Sequence, residues 1–331
     1  MTGVADRRGR YMSMRLVTLE EYLEYVRSHR SVQVEDARIE VGRPWRIRDF
    51  QPREFSLERT TVWSFPERGS WATHRGDYRG NWAPQIARNV ILRYSRPGEL
   101  VLDQMCGGGT TLVECKLLGR NAIGVDINYD AVILTLDRLN FRYRPLGYDC
   151  GEPEIRVYHG DARNLDRIED ETVDLIATHP PYANIIPYSK KRRVEGDLSQ
   201  VRSLDEYLQG MREIARESFR VLKPGRFCAI LIGDTRRRRH YVPVAFRVMQ
   251  QFLDVGFVLR EDIIKVQWHT KVTGARWAGL AKTAEECWVE KPPEKRYWTD
   301  FYLISHEHLF IFRKPRKDED LSKLELSRKW W

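Results

Sequence analysis

The sequence lacks the features of membrane and secreted proteins. None of its 331 residues lies in an apolar run approaching the roughly 18 residues that span a bilayer. Residues 1–15 are charged and contain no apolar signal-peptide core, so we expect a cytoplasmic protein with no membrane partner. Cysteine is also scarce, and no C-x-x-C pair occurs among Cys106, Cys115, Cys150, Cys228 and Cys287. This pattern argues against both a disulfide framework and a zinc site, and we expect reduced thiols and no bound metal.

Positive charge is in excess. Lys and Arg number 56 against 47 Asp and Glu, which gives a formal net charge of +9. This balance suits a polyanionic partner such as nucleic acid. Arg is plentiful where Asn and Gln are few, a composition typical of heat-adapted proteins.

Short apolar runs alternate with amphipathic stretches from residue 99 onward, and no internal repeat is present. The alternation predicts an α/β fold with a mostly parallel, Rossmann-like sheet flanked by helices. Seven strands are expected at residues 99–103, 122–126, 155–159, 173–178, 227–232, 257–266 and 308–312. Helices are expected at residues 19–27, 110–118, 131–141, 207–221 and 242–254, the fourth stopped by Lys223-Pro224-Gly225.

The remaining segments suggest a domain plan. Residues 71–315 form the main domain, preceded by an N-terminal extension at 1–70 to which we assign a substrate-binding role. Insertions at 182–203 and 269–299 lie outside the alternation and are candidates for substrate recognition. Residues 316–331 form a charged tail, for which we expect disorder.

A glycine cluster follows the first strand. Asp103 closes the strand, Gly107-Gly108-Gly109 comes next, and a helix begins at Thr110. Glycines let the backbone turn sharply and let a ligand approach the N–H groups at a helix N-terminus. The loop differs from G-x-G-x-x-G and no P-loop lysine follows, so the pattern disfavours bound phosphate.

Acidic residues close the next two strands. Asp126 follows the glycine loop by about 20 residues, the spacing at which a carboxylate holds the ribose hydroxyls of a nucleoside cofactor. Asp161, after the third strand, can accept a hydrogen bond from an adenine amino group. Any one of these acids could be a helix cap, but acids at the ends of three successive strands favour a cofactor site.

Residues 179–182 read His-Pro-Pro-Tyr and follow the fourth strand. The prolines fix the backbone and remove two N–H donors, and the tyrosine offers a face on which a flat base can stack. An amino group on a base is a poor nucleophile because its lone pair is delocalised into the ring. His179 and the Pro180 carbonyl could accept its two hydrogens and draw the lone pair out of conjugation. A rigid strand-end turn is the structural alternative.

These motifs resemble the amino-methyltransferase family of DNA cytosine-N4 and adenine-N6 methylases. Residues 103–111, Asp-Gln-Met-Cys-Gly-Gly-Gly-Thr-Thr, resemble its D-P-F-x-G-x-G-T-T cofactor loop. Residues 76–88 resemble the segment that closes over the methionine part of the cofactor, and residues 179–182 resemble the [D/N/S]-P-P-Y/F catalytic segment. Together the similar segments lie within residues 76–315.

The resemblance implies a seven-stranded methyltransferase domain that uses S-adenosylmethionine. It implies catalytic roles for His179, Pro180, Pro181 and Tyr182. The cofactor-binding residues that we expect are Gly76, Asp77, Tyr78, Asp103, Met105, Cys106, Gly107, Gly109, Thr110, Thr111, Asp126, Ile127, Asp161 and Ala162.

Two positions depart from the family pattern. His179 stands where the family usually has Asp, Asn or Ser, and only a neutral imidazole can accept a hydrogen bond. We therefore expect activity to fall as the pH drops below about 6.5, the ordinary pKa of histidine. Gln104 stands where the family usually has Pro, and we expect this change to matter little.

Two basic clusters follow strand ends near these motifs, Lys190-Lys191-Arg192-Arg193 and Arg236-Arg237-Arg238-Arg239. Ligands of open α/β sheets bind at the carboxyl ends of strands, so the clusters are candidate phosphate contacts. The alternative is that they are charge runs exposed to solvent with no binding role.

We favour methylation of cytosine N4 in a structured RNA, as in archaeal enzymes that dimethylate a ribosomal cytosine. No insertion of the roughly 100 residues that restriction-type enzymes use to recognise duplex sequence is present, which favours RNA recognised by shape. DNA cytosine-N4 or adenine-N6 methylation, protein-glutamine methylation and a non-catalytic nucleic-acid-binding relative stay open. The sequence does not give the oligomeric state.

Overall fold

One nine-stranded sheet with helices on both faces forms the centre of the computed structural model, which describes residues 10–34, 37–77, 80–145, 152–181, 194–238, 240–268, 302 and 304–329. The described strands are β1 Arg15–Leu16, β2 Ser31–Val34, β3 Ala37–Glu40, β4 Val62–Ser64, β5 Leu100–Asp103, β6 Asn121–Asp126, β7 Ile155–His159, β8 Val173–Thr178, β9 Leu222–Ile232, β10 Thr235–Arg237, β11 His240–Val242, β12 Val258–Val266 and β13 His306–Arg313. The described α-helices are α1 Leu19–Ser28, α2 Pro84–Tyr94, α3 Thr110–Leu118, α4 Tyr129–Leu139, α5 Leu204–Val221 and α6 Val244–Val255.

The strand order in the sheet is β1-β7-β6-β5-β8-β9-β13-β12-β4. Strands β5 to β9 pair in parallel, and β13 runs antiparallel to both of its neighbours. The seven predicted strands are all present and adjacent, which confirms the α/β, Rossmann-like fold class. Because the chain moves from β5 outward through β6 and β7 and then returns to β8, the strand order reverses between β5 and β8. Ligands of open α/β sheets bind beyond the strand ends at such a reversal.

Two short strands that the sequence did not predict close the sheet edges. β1 pairs antiparallel with β7, where Arg15 lies opposite His159. β4 pairs in parallel with β12, where Val62 lies opposite Ile264. Both come from the N-terminal part of the chain, so residues 15–64 contribute to both edges of the sheet.

Apolar side chains pack on both faces of the sheet. One cluster joins Tyr22 of α1, Ile86 of α2 and Val132 of α4 to one face. The other joins Ile214 of α5 and Phe252 of α6 to the opposite face. These buried faces hold the strand ends, and the loops that follow them, in fixed positions.

Helix α5 stops at Val221, as Lys223-Pro224-Gly225 predicts, but β9 begins at the next residue. Val173 pairs with Leu222 and Leu175 pairs with Phe227, so residues 223–226 form an irregular stretch within the strand.

The charged tail is ordered over its described part, contrary to the expectation of disorder. Arg313 Nη1 and Nη2 donate to both carboxylate oxygens of Glu319, at 2.7 and 2.6 Å. A 3-10 helix follows at Leu321–Ser327. Among the described helices, none combines the length and the apolar character that a bilayer crossing requires.

Candidate active site

The glycine loop lies between β5 and α3 and depends on left-handed backbone. Gly107 and Gly109 have φ of 52° and 76°. A Cβ added at Gly109 would lie 2.8 Å from Cγ2 of Thr135 on α4, which is closer than real Cβ contacts. The loop therefore excludes side chains at Gly109 and packs closely against α4.

Asp103 is buried at the end of β5 and accepts three hydrogen bonds. Thr178 Oγ1 donates to its Oδ1 at 2.8 Å and Thr111 Oγ1 to its Oδ2 at 2.5 Å, while the Met105 amide donates to Oδ1 at 3.3 Å. Burial raises the pKa of Asp103 to about 6, and the donors oppose that rise. Asp103 thus joins the start of α3 to Thr178, which directly precedes His179.

Asp126 ends β6 and holds the glycine loop from the other side. Its Oδ2 accepts from the Gly107 amide at 2.8 Å, and its Oδ1 accepts from the Asn128 amide at 2.8 Å. Burial raises the pKa of Asp126 to about 7. The next residue, Ile127, accepts through its carbonyl from the ring of His159, 3.1 Å away.

Asp161 is paired with Arg163 in the structure. Arg163 Nη2 lies 2.6 Å from Asp161 Oδ2 and also donates to the Gly196 carbonyl at 2.7 Å. The Arg163 guanidinium stacks on the Tyr11 ring at 4.4 Å. Ala162 is buried beside this pair. The described end of the 182–203 insertion, Gly196, therefore contacts the group around the third candidate cofactor acid.

The segment expected to close over the cofactor is tied to the glycine loop. Asp77 forms an ion pair with Arg138 of α4, and Arg138 Nη1 donates to the Gly108 carbonyl at 3.2 Å. Thr110 Oγ1 donates to Asn81 Oδ1 at 2.5 Å. Gly76 precedes this pair of contacts, whereas Tyr78 lies outside the described residues.

A buried carboxylate on α3 anchors the same segment, and sequence reasoning missed it. Glu114 is fully buried and accepts from Trp71 Nε1 at 2.7 Å and from Arg88 Nη1 at 2.9 Å. The ring of His74 lies 2.7 Å away through Nε2, and burial lowers the pKa of His74. An acid within an apolar helix face, with Trp, His and Arg upstream, was the available signal.

His179 follows β8, and its ring stacks on Trp82 with 6.2 Å between centroids and 28° between planes. Burial lowers the pKa of His179 to about 3, and the nearby Lys265 and Arg68 cations add to the effect. The imidazole is therefore neutral throughout the ordinary pH range. This pKa contradicts the premise of the expected loss of activity below about pH 6.5, which assumed the pKa of an exposed histidine.

A residue of helix α5 contacts the Pro-Pro turn that follows His179. Pro180 is buried, and the carbonyl of Pro181 accepts from the hydroxyl of Tyr207 at 3.0 Å. Tyr207 is itself fully buried, so the Pro-Pro turn rests on the core. Tyr182 and the first basic cluster, Lys190, Lys191, Arg192 and Arg193, lie outside the described residues, as does the insertion at 269–299.

The second basic cluster lies on a β10–β11 hairpin. Arg236 pairs with Tyr241 and Arg237 with His240 in its register, and Arg237 and Arg238 are exposed. Arg239 is outside the described residues. The hairpin follows β9, at the same carboxyl edge of the sheet as His179.

Gln104 has a role that the sequence did not predict. Its side chain is fully buried, and its Nε2 donates at 2.8 Å to the hydroxyl of Ser218 on α5. Ser218 in turn donates to the Ile214 carbonyl at 2.7 Å. The departure from proline is therefore accompanied by a polar partner on the facing helix.

Comparison with known proteins places these motifs in a family. A family model described as DNA methylase, of the N6/N4-methyltransferase type, matches residues 16–136 and 173–329. The chain belongs to this family. The membership confirms the resemblance drawn from the motifs and, with it, the expected methyltransferase that uses S-adenosylmethionine. Asp161 lies between the two segments that the family model matches.

The relatives include Type II methyltransferases and tRNA dimethyltransferases. Type II methyltransferase M.BglII from Bacillus subtilis is 31% identical over 147 residues, which are 44% of this chain and 38% of that protein. A tRNA (guanine(10)-N2)-dimethyltransferase from Methanothermobacter thermautotrophicus is 36% identical over 106 residues, which are 32% of this chain and 29% of that protein. The alignments thus span well under half of either relative.

Among solved structures, a SAM-dependent methyltransferase from Methanosarcina mazei is similar with a TM-score of 0.44 and 15% identity. The match covers 69% of this chain and 98% of that one.

Proposed function

We propose that this methylase transfers a methyl group from S-adenosylmethionine to the exocyclic amino group of a nucleic-acid base, with cytosine N4 in a structured RNA as the favoured target. The observation that carries the proposal is the link between the two halves of the site. Asp103 accepts from Thr111 at the cofactor helix and from Thr178 beside His179, so one carboxylate fixes the glycine loop against the catalytic turn.

The residues present suit the cofactor. Left-handed backbone at Gly107 and Gly109 turns the chain into the N-terminus of α3, where main-chain N–H groups can face an adenosyl group, and Asp126 presents a carboxylate to ribose hydroxyls. Acidic side chains at Asp103 and Asp126 complement a sulfonium cation better than a phosphate. When bound, S-adenosylmethionine supplies an electrophilic methyl group.

The chain's own residues then prepare the acceptor. A neutral His179 imidazole has a lone pair that can accept one amino hydrogen, and the Pro180 carbonyl can accept the other. Accepting both hydrogens localises the lone pair of the amino nitrogen so that the nitrogen can attack the methyl carbon in line. The carbon–sulfur bond breaks as the nitrogen–carbon bond forms, and the methylated nitrogen then releases one proton to solvent. The stack with Trp82 and the bond from Tyr207 to Pro181 keep both acceptors in place.

Support for a nucleic-acid substrate comes from the exposed arginines of the β10–β11 hairpin beside the site. A base must leave its stack or lie in a single strand to reach His179. RNA is favoured because no recognition domain is inserted between residues 103 and 179. DNA is the second candidate, since the family model is described as DNA methylase.

The test is methyl transfer from labelled S-adenosylmethionine to unmodified total RNA, ribosomal subunits and genomic DNA, followed by nucleoside identification by mass. We expect N4-methylated cytidine from RNA or ribosomal subunits. Methylated deoxynucleosides with silent RNA would make DNA the substrate. His179→Leu, assayed for cofactor binding in parallel, is the control, because it removes the acceptor without touching the glycine loop. Cofactor binding without transfer to any of the three substrates would contradict the proposal.

A further inference from the structure

A buried ion pair that the proposed mechanism does not use lies on the two antiparallel strands of the sheet. Lys265 of β12 and Glu307 of β13 are opposite each other in the register, with 2.8 Å between Nζ and Oε2. Their side chains are 18% and 6% exposed. Removing two charges from water is costly, and such pairs are often no more stabilising than apolar residues of the same size. A buried charged pair that the proposed mechanism leaves unused is a candidate functional group.

Strand geometry places this pair on the same face of the sheet as His179. Side chains alternate between faces along a strand, so Glu307 shares a face with Leu309. Leu309 packs in the apolar cluster that contains Trp82, the residue stacked on His179. Glu307 directly precedes His308, and His308 pairs with Ile232 at the carboxyl end of β9. The ion pair therefore lies at the catalytic edge of the sheet.

Two cations approach His179 from this side. The ammonium of Lys265 and the guanidinium of Arg68 both help to lower the pKa of His179. Arg68 Nη1 donates to the Asn81 carbonyl at 2.8 Å, immediately before Trp82. The surroundings of His179 on this face are thus positive and suit a ligand edge that carries hydrogen-bond acceptors.

We propose that Lys265, oriented by Glu307, recognises the substrate base by donating a hydrogen bond to the ring nitrogen next to the amino-bearing carbon. That nitrogen is N3 in cytosine and N1 in adenine, and it is an acceptor in both. An ammonium group carries three hydrogens, so Lys265 can donate to Glu307 and to the base together. The inference rests on the proposed function, because it takes the target amino group to lie at His179.

The contact distinguishes amino-bearing bases from those that present an N–H at the same position. Thymine and uracil carry a ring N–H between two carbonyls. This N–H is a donor and would face the ammonium, which is also a donor, so no hydrogen bond could form between them. Lys265 would therefore add selection against these bases to the selection for an amino group by His179 and Pro180. An unpaired buried donor is what makes such discrimination strong.

The test combines base analogues with protein variants in a binding assay. A short single-stranded RNA with one cytosine, and the same RNA with 3-deazacytosine, are titrated by fluorescence anisotropy in the presence of S-adenosylhomocysteine. We expect wild-type protein to bind the 3-deaza RNA about tenfold more weakly, the size of a lost charged hydrogen bond. Lys265→Met should bind the cytosine RNA about tenfold more weakly and should not distinguish the two RNAs.

Lys223→Met is the matched control. Lys223 also pairs with a buried carboxylate, Asp174, at 2.8 Å, but at the start of β9, the opposite end of the sheet. It should behave as wild type. Glu307→Gln, which keeps a hydrogen-bond acceptor beside Lys265, covers the case in which Lys265→Met does not fold, and it should retain part of the discrimination.

Equal binding of the two RNAs by wild-type protein, or continued discrimination by Lys265→Met, would overturn the inference. Because the binding assay needs no methyl transfer, it tests base recognition by Lys265 independently of the proposed methylation. Discrimination without methylation would leave base recognition standing and remove the proposed activity. Methylation without discrimination would do the reverse.

Discussion

The indole ring of Trp82 lies against the imidazole ring of His179, with 28° between their planes. Trp82 is in the segment that precedes α2, and His179 follows β8, so the contact joins that segment to the His-Pro-Pro turn. An acceptor held by ring packing loses little conformational entropy when a substrate binds. This contact gives a structural reason for a histidine at a position where the family usually has a smaller polar residue.

His179→Asn should remain active, because an amide oxygen also accepts a hydrogen bond, whereas His179→Leu should lose activity by about 100-fold. The pH profile distinguishes the pKa of about 3 that burial gives His179 from the value near 6.5 expected from the sequence. With a folded-state pKa of about 3, His179 stays neutral as the pH falls from 8 to 5, so the ratio of wild-type to His179→Asn rates should be constant over that range. A decline near pH 6.5 in wild type alone would show that the imidazole titrates as if exposed.

Cofactor affinity should depend on pH through Asp126. Burial raises the pKa of this carboxyl to about 7, so it gains a proton and loses its charge as the pH falls through 7. A charged acceptor binds hydroxyls more strongly than a neutral one, and the Kd for S-adenosylmethionine should rise by up to about tenfold between pH 8 and pH 6. Calorimetry at several pH values measures this change. Asp126→Asn should bind weakly at every pH, and an equal slope in that variant would assign the titration to another group.

Gly109→Ala should destabilise the protein through backbone and packing together. A left-handed conformation costs a residue with a Cβ about 1–2 kcal/mol, and here the new Cβ would also meet Cγ2 of Thr135 at 2.8 Å. Gly80→Ala is the matched control, because Gly80 has φ of 89° with no atom within 4 Å of the added Cβ. Thr135→Ser removes Cγ2 and should restore part of the stability of Gly109→Ala. Urea denaturation measures the free energy of unfolding of wild type, Gly109→Ala, Gly80→Ala and the Gly109→Ala/Thr135→Ser double variant. Equal losses of stability in Gly109→Ala and Gly80→Ala would show that the contact with Thr135 adds no cost.

Glu114→Gln should lower the free energy of unfolding by about 3–5 kcal/mol, the usual cost of leaving a buried charge without its partner. The uncompensated charge is Arg88, which is 7% exposed and 2.9 Å from the Glu114 carboxylate. Glu40→Gln removes the partner of Arg43 in an exposed pair and should leave the denaturation midpoint unchanged. A midpoint for Glu114→Gln that coincides with wild type would mean that the buried network contributes no net stability.

Long periodic elements could be predicted from the sequence. The strands Ile155–His159 and Val173–Thr178 and the helix Thr110–Leu118 have the predicted bounds, because each is rich in apolar residues and is flanked by turn residues. Strands β1 and β4, of two and three residues, could not be found in this way, since so short a strand has no period and depends on a distant partner.

The chemistry of the site was only partly predictable for a similar reason. Residue types and spacing identified the glycine loop and the His-Pro-Pro turn as cofactor and substrate contacts, roles that stay predictions. The pKa of His179 depends first on its burial and then on Lys265 and Arg68, which are far from it in sequence. The pairing of Asp161 with Arg163 would compete with the predicted contact between Asp161 and adenine, and no spacing rule indicates this pairing.

The two edge strands have a consequence for the order of folding. β4 is synthesised well before β12, the strand whose edge it covers, so its pairing must wait until most of the sheet exists. Until then the nascent sheet presents unpaired backbone groups along β12, and these are the groups through which partly folded chains associate. The N-terminal segment thus acts as a late closure of the sheet, and the interval before it docks is when the chain is most exposed to aggregation.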